Sequence, residues 1–338
     1  MTIRVLWSNI IIKSFQRSKM ICGEFFFKWK NWSFAYAVYS SAWWIGWYCP
    51  FFKGLGAWGF NKKTQWLRQY LKDNYGELIC RFAEQNRTEQ NRTEQYYFWV
   101  FWYQGIDSMP DLVQSCYRNL VYHYGKRVRL VTSDNLADYI QIPDFVVNKV
   151  KSGNISLTHF SDIVRCSLLA QYGGLWLDST CWVTDKIPDY ITQLNIYSSK
   201  DPTIQNLPLW SNGRWTGWLM GTNMKNYPLF CFCRDLLFAY WNKEDKLIDY
   251  LLIDFCLLMG YETLESIKSQ MDKIPPNNAE RNTLYYLLDQ EYDEERFQQI
   301  CKNSWCFKLS YKHHHRIYSK DGKITFYGKL IGKSEIDA

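Results

Sequence analysis

Apolar and amphipathic segments alternate along the middle of the chain. Residues 96–102 and 127–132 are dense in aromatic and β-branched side chains, which predicts two buried strands. Between them, Ser108 and Pro110 provide a start signal for a helix that runs to about His123. This part of the chain is therefore predicted to form a strand, a helix and a second strand.

The alternation continues with two helices and a third strand. Pro143 opens a short helix, and the mostly apolar residues 156–172 predict a longer one that ends at two consecutive glycines. Residues 175–177 then predict a short buried strand. Strands that alternate with helices indicate an α/β fold with a mainly parallel sheet and flanking helices.

The last third of the chain has a weaker pattern. Residues 205–225 are rich in glycine and are predicted to form loops. Helical periodicity returns at 228–242 and 246–260. From about Cys301 onward, the sequence predicts short strands.

The N-terminal residues 1–85 differ from the rest and predict an aromatic-rich helical segment. Residues 31–52 carry no charge and are long enough to span a bilayer. Serine, glycine and proline dilute this stretch, however, and Trp and Tyr favour the membrane interface. Three alternatives stay open: packing on the main domain, a peripheral contact with the cytoplasmic face of the membrane, or a transmembrane helix.

A pentapeptide, Asn-Arg-Thr-Glu-Gln, occurs twice in succession at residues 86–95. Two copies are too few and too short for a solenoid. We interpret them as a solvated linker or helix extension. The predicted organisation is an N-terminal segment at 1–85, the linker at 86–95 and a main domain at 96–338.

The composition is that of a folded protein with unusual aromatic content. Of 338 residues, 47% are hydrophobic and 22% charged, while aromatics reach 18% with 17 Trp. Such a content suits sugar stacking or a membrane-facing patch. The net charge of +7 favours anionic partners such as nucleotide phosphates. Since no compact basic run is present, nucleic acid is not a predicted partner.

The 11 cysteines are scattered and do not have the spacing of zinc ligands. We interpret them as reduced thiols of a cytosolic protein.

Three charged residues stand out in this apolar background. Asp162 and Arg165 are three positions apart, and so lie on one face of the predicted helix. Charges on a core helix are costly without partners. Asp178 follows the third strand, at the position where α/β sheets bind ligands. These residues predict a polar ligand between the helix and the strand end, with an internal salt bridge or a turn cap as the alternatives.

Six sequence blocks occur in an order that resembles the capsular polysaccharide synthesis proteins, over roughly residues 96–315. These are bacterial sugar transferases related to glycosyltransferase family 32 and, more remotely, to the large clostridial glucosylating toxins. The blocks are Trp102-Tyr-Gln-Gly105, Leu157-Thr-His-Phe-Ser-Asp-Ile-Val-Arg165, Tyr172-Gly-Gly-Leu-Trp-Leu-Asp-Ser-Thr180, Gly213-Arg-Trp-Thr-Gly217, Leu252-Ile-Asp-Phe255 and Lys308-Leu-Ser-Tyr-Lys312.

The resemblance implies a glycosyltransferase of the GT-A type with a Rossmann-like sheet. It implies a hexosyl or N-acetylhexosaminyl nucleotide-sugar donor, retention of anomeric configuration and a divalent cation, Mn²⁺ or Mg²⁺. The acceptor would be an oligosaccharide or a lipid-linked glycan of a capsule, lipooligosaccharide or similar surface polymer. The protein would be cytoplasmic, with a peripheral contact at the inner membrane as one option. The alternative is a degenerate GT-A protein that binds nucleotide sugar or partner enzymes without turnover.

Catalytic roles carried over by the resemblance fall on Asp178, Asp162 and Arg165. Asp178 would contact the ribose or the diphosphate and its metal. Asp162 and Arg165 would read hydroxyl groups of the donor sugar. Trp102 would stack on the nucleobase, which is worth about 1–3 kcal/mol per base, or would pack in the core.

The metal site departs from the wider group. The usual strand-end signature is Asp-any-Asp, whereas this chain has Asp178-Ser179-Thr180. A hydroxyl is a poor replacement for a carboxylate around a hard cation. Thr180 would therefore hold a metal-bound water, or would be an ordinary strand residue.

Other candidates for substrate binding are less specific. His159 would contact the ligand or remain a core histidine, and Asp254 is a lone acid in an apolar helix, either paired or functional. Lys312 and His313 would close over the diphosphate or form a solvated basic strand. The remaining candidates are Gln104 and Gly105, Ser179, and the loop residues Arg214 and Trp215.

Overall fold

The computed structural model describes residues 3–84, 91–184, 187–201 and 209–333, with side chains from residue 16. The first copy of the duplicated pentapeptide, 86–90, lies outside these ranges. The helices are α1 (Ile3–Asn31), α2 (Phe34–Tyr48), α3 (Lys53–Glu84), α4 (Asp111–Tyr124), α5 (Leu136–Tyr139), α6 (Asp144–Lys151), α7 (Leu157–Tyr172), α8 (Tyr190–Gln193), α9 (Pro228–Lys243), α10 (Leu252–Thr263), α11 (Glu265–Asp272), α12 (Thr283–Leu287), α13 (Glu294–Asn303) and α14 (Phe326–Leu330).

The strands of the described ranges are short and belong to three sheets. They are β1 (Asn91–Arg92), β2 (Phe98–Phe101), β3 (Val128–Val131), β4 (Gly174–Leu177), β5 (Cys181–Val183), β6 (Tyr197–Ser198), β7 (Leu219–Thr222), β8 (Met224–Lys225) and β9 (Cys306–Lys308). The central sheet has the order β3-β2-β4-β7-β6, while β1 pairs with β8 and β5 with β9. The prediction of an α/β fold is confirmed.

Strand direction corrects the prediction of a mainly parallel sheet to a mixed one. β2 is parallel to both β3 and β4, as the strand–helix alternation predicted. β7 is antiparallel to both of its neighbours, β4 and β6. Since β6 is antiparallel to β7, it runs in the direction of β4. One reversed strand therefore lies inside a sheet whose other strands share a direction.

Of the stretch predicted as loops, residues 205–208 lie outside the described ranges. The described part, 209–225, contains two strands that the sequence analysis missed, β7 and β8. β7 is buried along its whole length, yet it lies among glycines that read as loop signals. Gly221 faces β4, and a Cβ built there would lie 2.3 Å from the carbonyl oxygen of Gly174. The glycine that hid the strand is therefore what lets β7 approach β4. Similarly, the second pentapeptide copy begins with β1, which pairs with β8.

A glycine pair joins α7 to β4 and fixes the strand end that follows. Gly173 and Gly174 have φ angles of +69° and +90°, which side-chain-bearing residues rarely adopt. A Cβ on Gly174 would also lie 2.5 Å from the carbonyl oxygen of Tyr97, beside β2. The turn thus allows the chain to leave the helix and enter the sheet next to β2 without a connecting loop.

The N-terminal helices α1–α3 pack against the main domain through buried ionic groups. Asp249, which precedes α10, is 4% exposed. Its Oδ2 lies 2.7 Å from Lys63 Nζ and 3.4 Å from Lys28 Nζ, and accepts a hydrogen bond of 3.1 Å from Tyr36. Burial lowers the pKa of Lys63 to about 8, against the opposing effect of Asp249. Three helices therefore converge on a single carboxylate of the main domain.

Bilayer-spanning helices are not found among the described residues, because none combines sufficient length with sufficient apolar character.

Candidate functional site

A cleft of about 990 Å³ opens at the carboxyl ends of β2 and β4. These strands are parallel neighbours, so the residues that follow them, Trp102 and Asp178, meet at one edge of the sheet. Both line the cleft, together with Asp162 and Arg165 from α7. The cleft size is at the upper end of the range of about 300–1,000 Å³ that is usual for ligand sites.

Asp178 is the centre of the ionic network in this cleft. Its Oδ1 accepts hydrogen bonds from Trp176 Nε1 at 2.9 Å and from Arg165 Nη2 at 3.2 Å. Its Oδ2 accepts from Lys308 Nζ at 2.6 Å. Both carboxylate oxygens therefore face donors, and two of these donors are cations.

Helix α7 supplies the second half of the network. Ser156 caps the helix by accepting from the backbone N–H of His159. One and two turns further, Asp162 Oδ1 lies 3.3 Å from Arg165 Nη1. Arg165 thus bridges Asp162 and Asp178, and its guanidinium lies 4.9 Å above the ring of Trp176.

Gly217 accommodates this guanidinium. A Cβ at Gly217 would lie 2.8 Å from Arg165 Nη1. A side chain at this position would therefore press on the arginine that connects the two carboxylates.

Lys308 comes from the far end of the chain. β9 is antiparallel to β5, and Lys308 lies opposite Cys181. Cys181 directly follows the Asp178–Thr180 segment. Its ammonium donates to Asp178 Oδ2 and, at 2.8 Å, to Thr180 Oγ1. The side chain is 26% exposed and lines the cleft. Lys308 is therefore held by the strand-end residues and still reaches the ligand space.

The network keeps its members ionised. Burial alone would raise the pKa of Asp178, but Lys308 and Arg165 outweigh burial and hold the pKa well below its usual range. Burial likewise opposes the charge on Lys308 and on Arg165. The pKa of Lys308 is nevertheless raised, because Asp178 lies against its ammonium. The pKa of Arg165 is also raised, because Asp162 and Asp178 lie against its guanidinium.

His159 lies beside the same network. Its Nδ1 is 3.4 Å from Asp162 Oδ2, its ring lies 5.5 Å from that of Trp241, and the residue is buried. Within the described residues, neither ring nitrogen has a hydrogen-bond partner. His159 is therefore a buried part of the cleft lining that packs beside Asp162.

Trp102 and Tyr311 form an aromatic wall of the cleft. Their rings meet edge to face at a centroid distance of 5.6 Å. Trp102 Nε1 donates to Ser108 Oγ at 2.9 Å, which fixes the orientation of the indole. A half-buried indole with a fixed orientation suits a planar ligand group better than core packing.

Asp254 lines the other side of the cleft, where it accepts a 3.0 Å hydrogen bond from Trp215 Nε1. Burial raises the pKa of Asp254 to about 6 from an ordinary value of 3.8. The acid predicted to be paired or functional therefore accepts from Trp215, and its burial disfavours the charged form.

Asp254→Asn should stabilise the protein at pH 7. The folded state holds a proton on Asp254 up to about pH 6, whereas the unfolded chain releases it near 3.8. The wild type therefore loses stability as the pH rises from about 4 to 6, and the variant does not. We expect a gain of about 1–3 kcal/mol in the free energy of unfolding at pH 7 and little change at pH 4. Urea titrations at both pH values measure this.

The exposed Asp73→Asn, on α3, is the matched control for that comparison and should leave the pH dependence unchanged. An equal free energy of unfolding for wild type and Asp254→Asn at pH 7 would contradict the assignment.

A sequence profile of the family described as capsular polysaccharide synthesis protein matches residues 51–330. The chain belongs to this family. The match covers more than four fifths of the sequence. It starts before residue 96, at which the resemblance noted in the sequence analysis begins. It therefore includes α3 as well as the central sheet and the cleft.

One curated protein to which the chain is similar is the O-glycosyltransferase braB of Annulohypoxylon truncatum. The two are 30% identical over 101 residues, which is 27% of this chain and 24% of the relative. The chain therefore spans about a quarter of the length of that relative. No solved structure matches the chain.

The structure brings most of the predicted site residues of this chain together. Besides the central network, the cleft is lined by Trp102, Gln104, His159, Ser179, Thr180, Asp254 and Lys312. Four predicted residues are not part of the lining: Gly105, Arg214, Trp215 and His313. Arg214 instead packs over the rings of Trp215 and Tyr261, and Trp215 acts through its hydrogen bond to Asp254.

Several lining residues were missed in the sequence. Lys308 was noted only as part of a motif, although a lysine at the end of a predicted strand is a usable signal. Tyr250, Asn282, Tyr286 and Tyr311 also line the cleft. Tyr311 belongs to the last of the six blocks and was not singled out there, whereas the other three lie in segments without a distinctive pattern.

The residues around Asp178 do not fit the predicted divalent cation. Mn²⁺ and Mg²⁺ need several free oxygen ligands, but both oxygens of Asp178 already accept from donors. The place between Asp178 and Thr180 is taken by the ammonium of Lys308. Within the described ranges, no three His, Cys, Asp or Glu side chains are grouped so that they could hold a metal ion. The donor set therefore gives no support to a metal at Asp178 and Thr180.

Proposed function

We propose that this chain is a glycosyltransferase that moves a sugar from a nucleotide-sugar donor to a glycan acceptor in the cleft. Family membership and the glycosyltransferase relative support the reaction class. The observation that carries the proposal is the network in which Arg165 bridges Asp162 and Asp178 at the open end of parallel strands. A buried ion network that opens into a cleft of this size suits a polar, charged ligand.

The cleft divides into three regions that match the parts of a nucleotide sugar. Trp102 offers a ring face for the base at the end of β2. Lys308 and Lys312 offer positive charge for a diphosphate. Asp162 and Arg165 offer acceptor and donor atoms for sugar hydroxyls. We propose that this arrangement is of the GT-A type and that the donor is a hexosyl or N-acetylhexosaminyl nucleotide.

In the reaction, the bond between the anomeric carbon and the diphosphate oxygen breaks, and a bond to the acceptor oxygen forms. The acceptor hydroxyl proton leaves with the departing nucleoside diphosphate or passes to solvent. The chain's own contribution is fixed positive charge at the leaving group, where it stabilises the developing negative charge.

We further propose that the sugar is transferred with retention of configuration to a surface glycan such as a capsule or lipooligosaccharide chain. Nuclear magnetic resonance of the product reads the anomeric configuration directly. A product of inverted configuration would refute the retention proposal and leave the transferase proposal intact.

The transferase proposal is tested with a panel of nucleotide sugars. We expect the purified chain to release nucleoside diphosphate from one donor, and to do so faster when an oligosaccharide acceptor is present. Binding of nucleotide sugar without release from any donor would instead indicate a protein that binds without turnover. Arg165→Ala should weaken binding of the nucleotide sugar more than binding of the corresponding nucleoside diphosphate, since Arg165 faces the sugar.

The N-terminal helices present an apolar surface for which we propose a peripheral contact with anionic lipid on the cytoplasmic face of the membrane. Exposed aromatic side chains cluster at the α1–α2 turn, including Phe26, which is 61% exposed, and Trp29. Others follow at the α2–α3 turn, including Phe51, which is 88% exposed. Residues 16–62 contain six Lys or Arg and one Glu. Aromatic side chains combined with this positive charge match an anionic interface.

Vesicle sedimentation tests this contact. The wild type should bind phosphatidylglycerol vesicles at least tenfold more tightly than phosphatidylcholine vesicles, and the variant with Phe26→Ser, Phe51→Ser and Trp58→Ser should lose at least tenfold in affinity. Tyr122→Ser is the matched control, because Tyr122 is 86% exposed on α4, outside the N-terminal helices. Equal binding of wild type and triple variant would refute the proposal.

A further inference from the structure

We propose that Lys308 takes the place of a divalent cation, so that this chain binds a diphosphate through a fixed ammonium and works without metal. The inference rests on the proposed function, because it concerns the diphosphate of the nucleotide sugar. It goes against the expectation of Mn²⁺ or Mg²⁺ that the sequence resemblance implied.

The first argument is the position of Lys308. Its Nζ lies 2.6 Å from Asp178 Oδ2 and 2.8 Å from Thr180 Oγ1, the two side chains predicted to hold the metal. An ammonium has three donor hydrogens. Two of them are directed at Asp178 and Thr180, and the third is left for a group in the cleft, which Lys308 lines.

The second argument is how firmly Lys308 is held. It is the last residue of β9, and its register against β5 places it beside Thr180. The backbone N–H of Lys308 donates to the carbonyl of Arg281 at 2.7 Å, and the next residue, Leu309, donates to the carbonyl of Thr180 at 2.9 Å. The ammonium therefore stands on a backbone that is tied down on both sides, as a cation fixed for a leaving group should be.

The third argument is that Thr180 fits a lysine partner better than a metal. A second carboxylate at position 180 would serve a hard cation. The hydroxyl of Thr180 accepts one hydrogen bond from the ammonium but carries no negative charge. Lys308 therefore keeps more of its positive charge for an anion than it would beside a second carboxylate. Lys312 lies four residues later, lines the same cleft and adds a second cation.

Binding of inorganic pyrophosphate by calorimetry tests the inference without turnover. In the presence of EDTA, the wild type should bind pyrophosphate. Excess Mg²⁺ should then change the affinity less than twofold, after correction for the Mg²⁺ that binds free pyrophosphate in solution. Lys308→Met should weaken binding at least tenfold, and Lys308→Arg should recover part of it. Lys302→Met, an exposed lysine on α13, is the matched control and should bind as the wild type does.

Two results would overturn the inference. One is that pyrophosphate binds the wild type only when Mg²⁺ or Mn²⁺ is present, or not at all. The other is that the wild type binds Mn²⁺ in the absence of pyrophosphate, which electron paramagnetic resonance detects as loss of the free Mn²⁺ signal, and that Asp178→Asn abolishes this binding. These wild-type measurements decide the matter even if Lys308→Met does not fold. If pyrophosphate binds without metal and through Lys308, but no nucleotide is released from any donor, the transferase proposal is refuted and the inference on Lys308 stands.

Discussion

Asp178→Asn should lower kcat of the proposed transferase by at least about 100-fold, because Lys308 would lose the partner that positions it and removal of one electrostatic contact to a developing charge usually costs that much. Both oxygens of Asp178 accept hydrogen bonds, from Trp176 and Arg165 on one side and from Lys308 on the other. An amide has one acceptor oxygen and one donor nitrogen, so either orientation of the asparagine places a donor against a donor. Lys308 or Arg165 would then move out of position.

The measurement is steady-state release of nucleoside diphosphate from the donor that the wild type uses. Asp73→Asn on α3 serves as the control for the same chemical change outside the cleft. The circular dichroism spectrum of Asp178→Asn should match that of the wild type, because Asp178 is 28% exposed in its side chain and asparagine has nearly the same volume. Turnover within threefold of the wild type would remove Asp178 from the site.

Asp249→Asn should have the largest effect on stability, with a loss of about 3–5 kcal/mol, as is usual when one partner of a buried ion pair is removed. Lys63 and Lys28 are 1% and 3% exposed, and both direct their ammonium groups at Asp249. Without the carboxylate, Lys63 has no anionic partner within the described residues and rests on the rings of Trp43 and Trp210. The change would loosen α3 from the main domain.

Urea denaturation at pH 7 measures the loss. The double variant Lys63→Met with Asp249→Asn should recover at least half of it, because the buried charge that lost its partner is then removed, while Lys28 keeps its pair with Glu24 at 3.0 Å. A loss below 1 kcal/mol for the single variant would show that the carboxylate does not hold the helices in place.

Local patterns in the sequence predicted the parts of the fold that depend on near neighbours. β2, β3 and β4 were predicted within two residues of their observed ends, since each is a compact, mostly apolar run that begins and ends on a buried residue. α7 was predicted from its mostly apolar residues and its glycine end. β7 was missed, because its pairing with β4 and β6 is set by residues far away in sequence, and its four residues include a glycine.

The same distinction applies to the site. Asp162 and Arg165 could be placed together from helical spacing, and Asp178 could be placed near them from its position at a strand end. The contribution of Lys308 could not be predicted in this way. It depends on the register between β5 and β9, which pairs segments that lie far apart in the sequence.

Lys308 follows Asp178 by 130 residues. During synthesis, β4 and the following Asp178 leave the ribosome long before the lysine that completes the charge balance of Asp178 has been made. Until then, Arg165 is the only cation within contact of that carboxylate among the described residues. The corner of the cleft that is proposed to bind a diphosphate is thus one of the last features to be assembled, and a nascent chain that stops before β9 carries the sheet without Lys308.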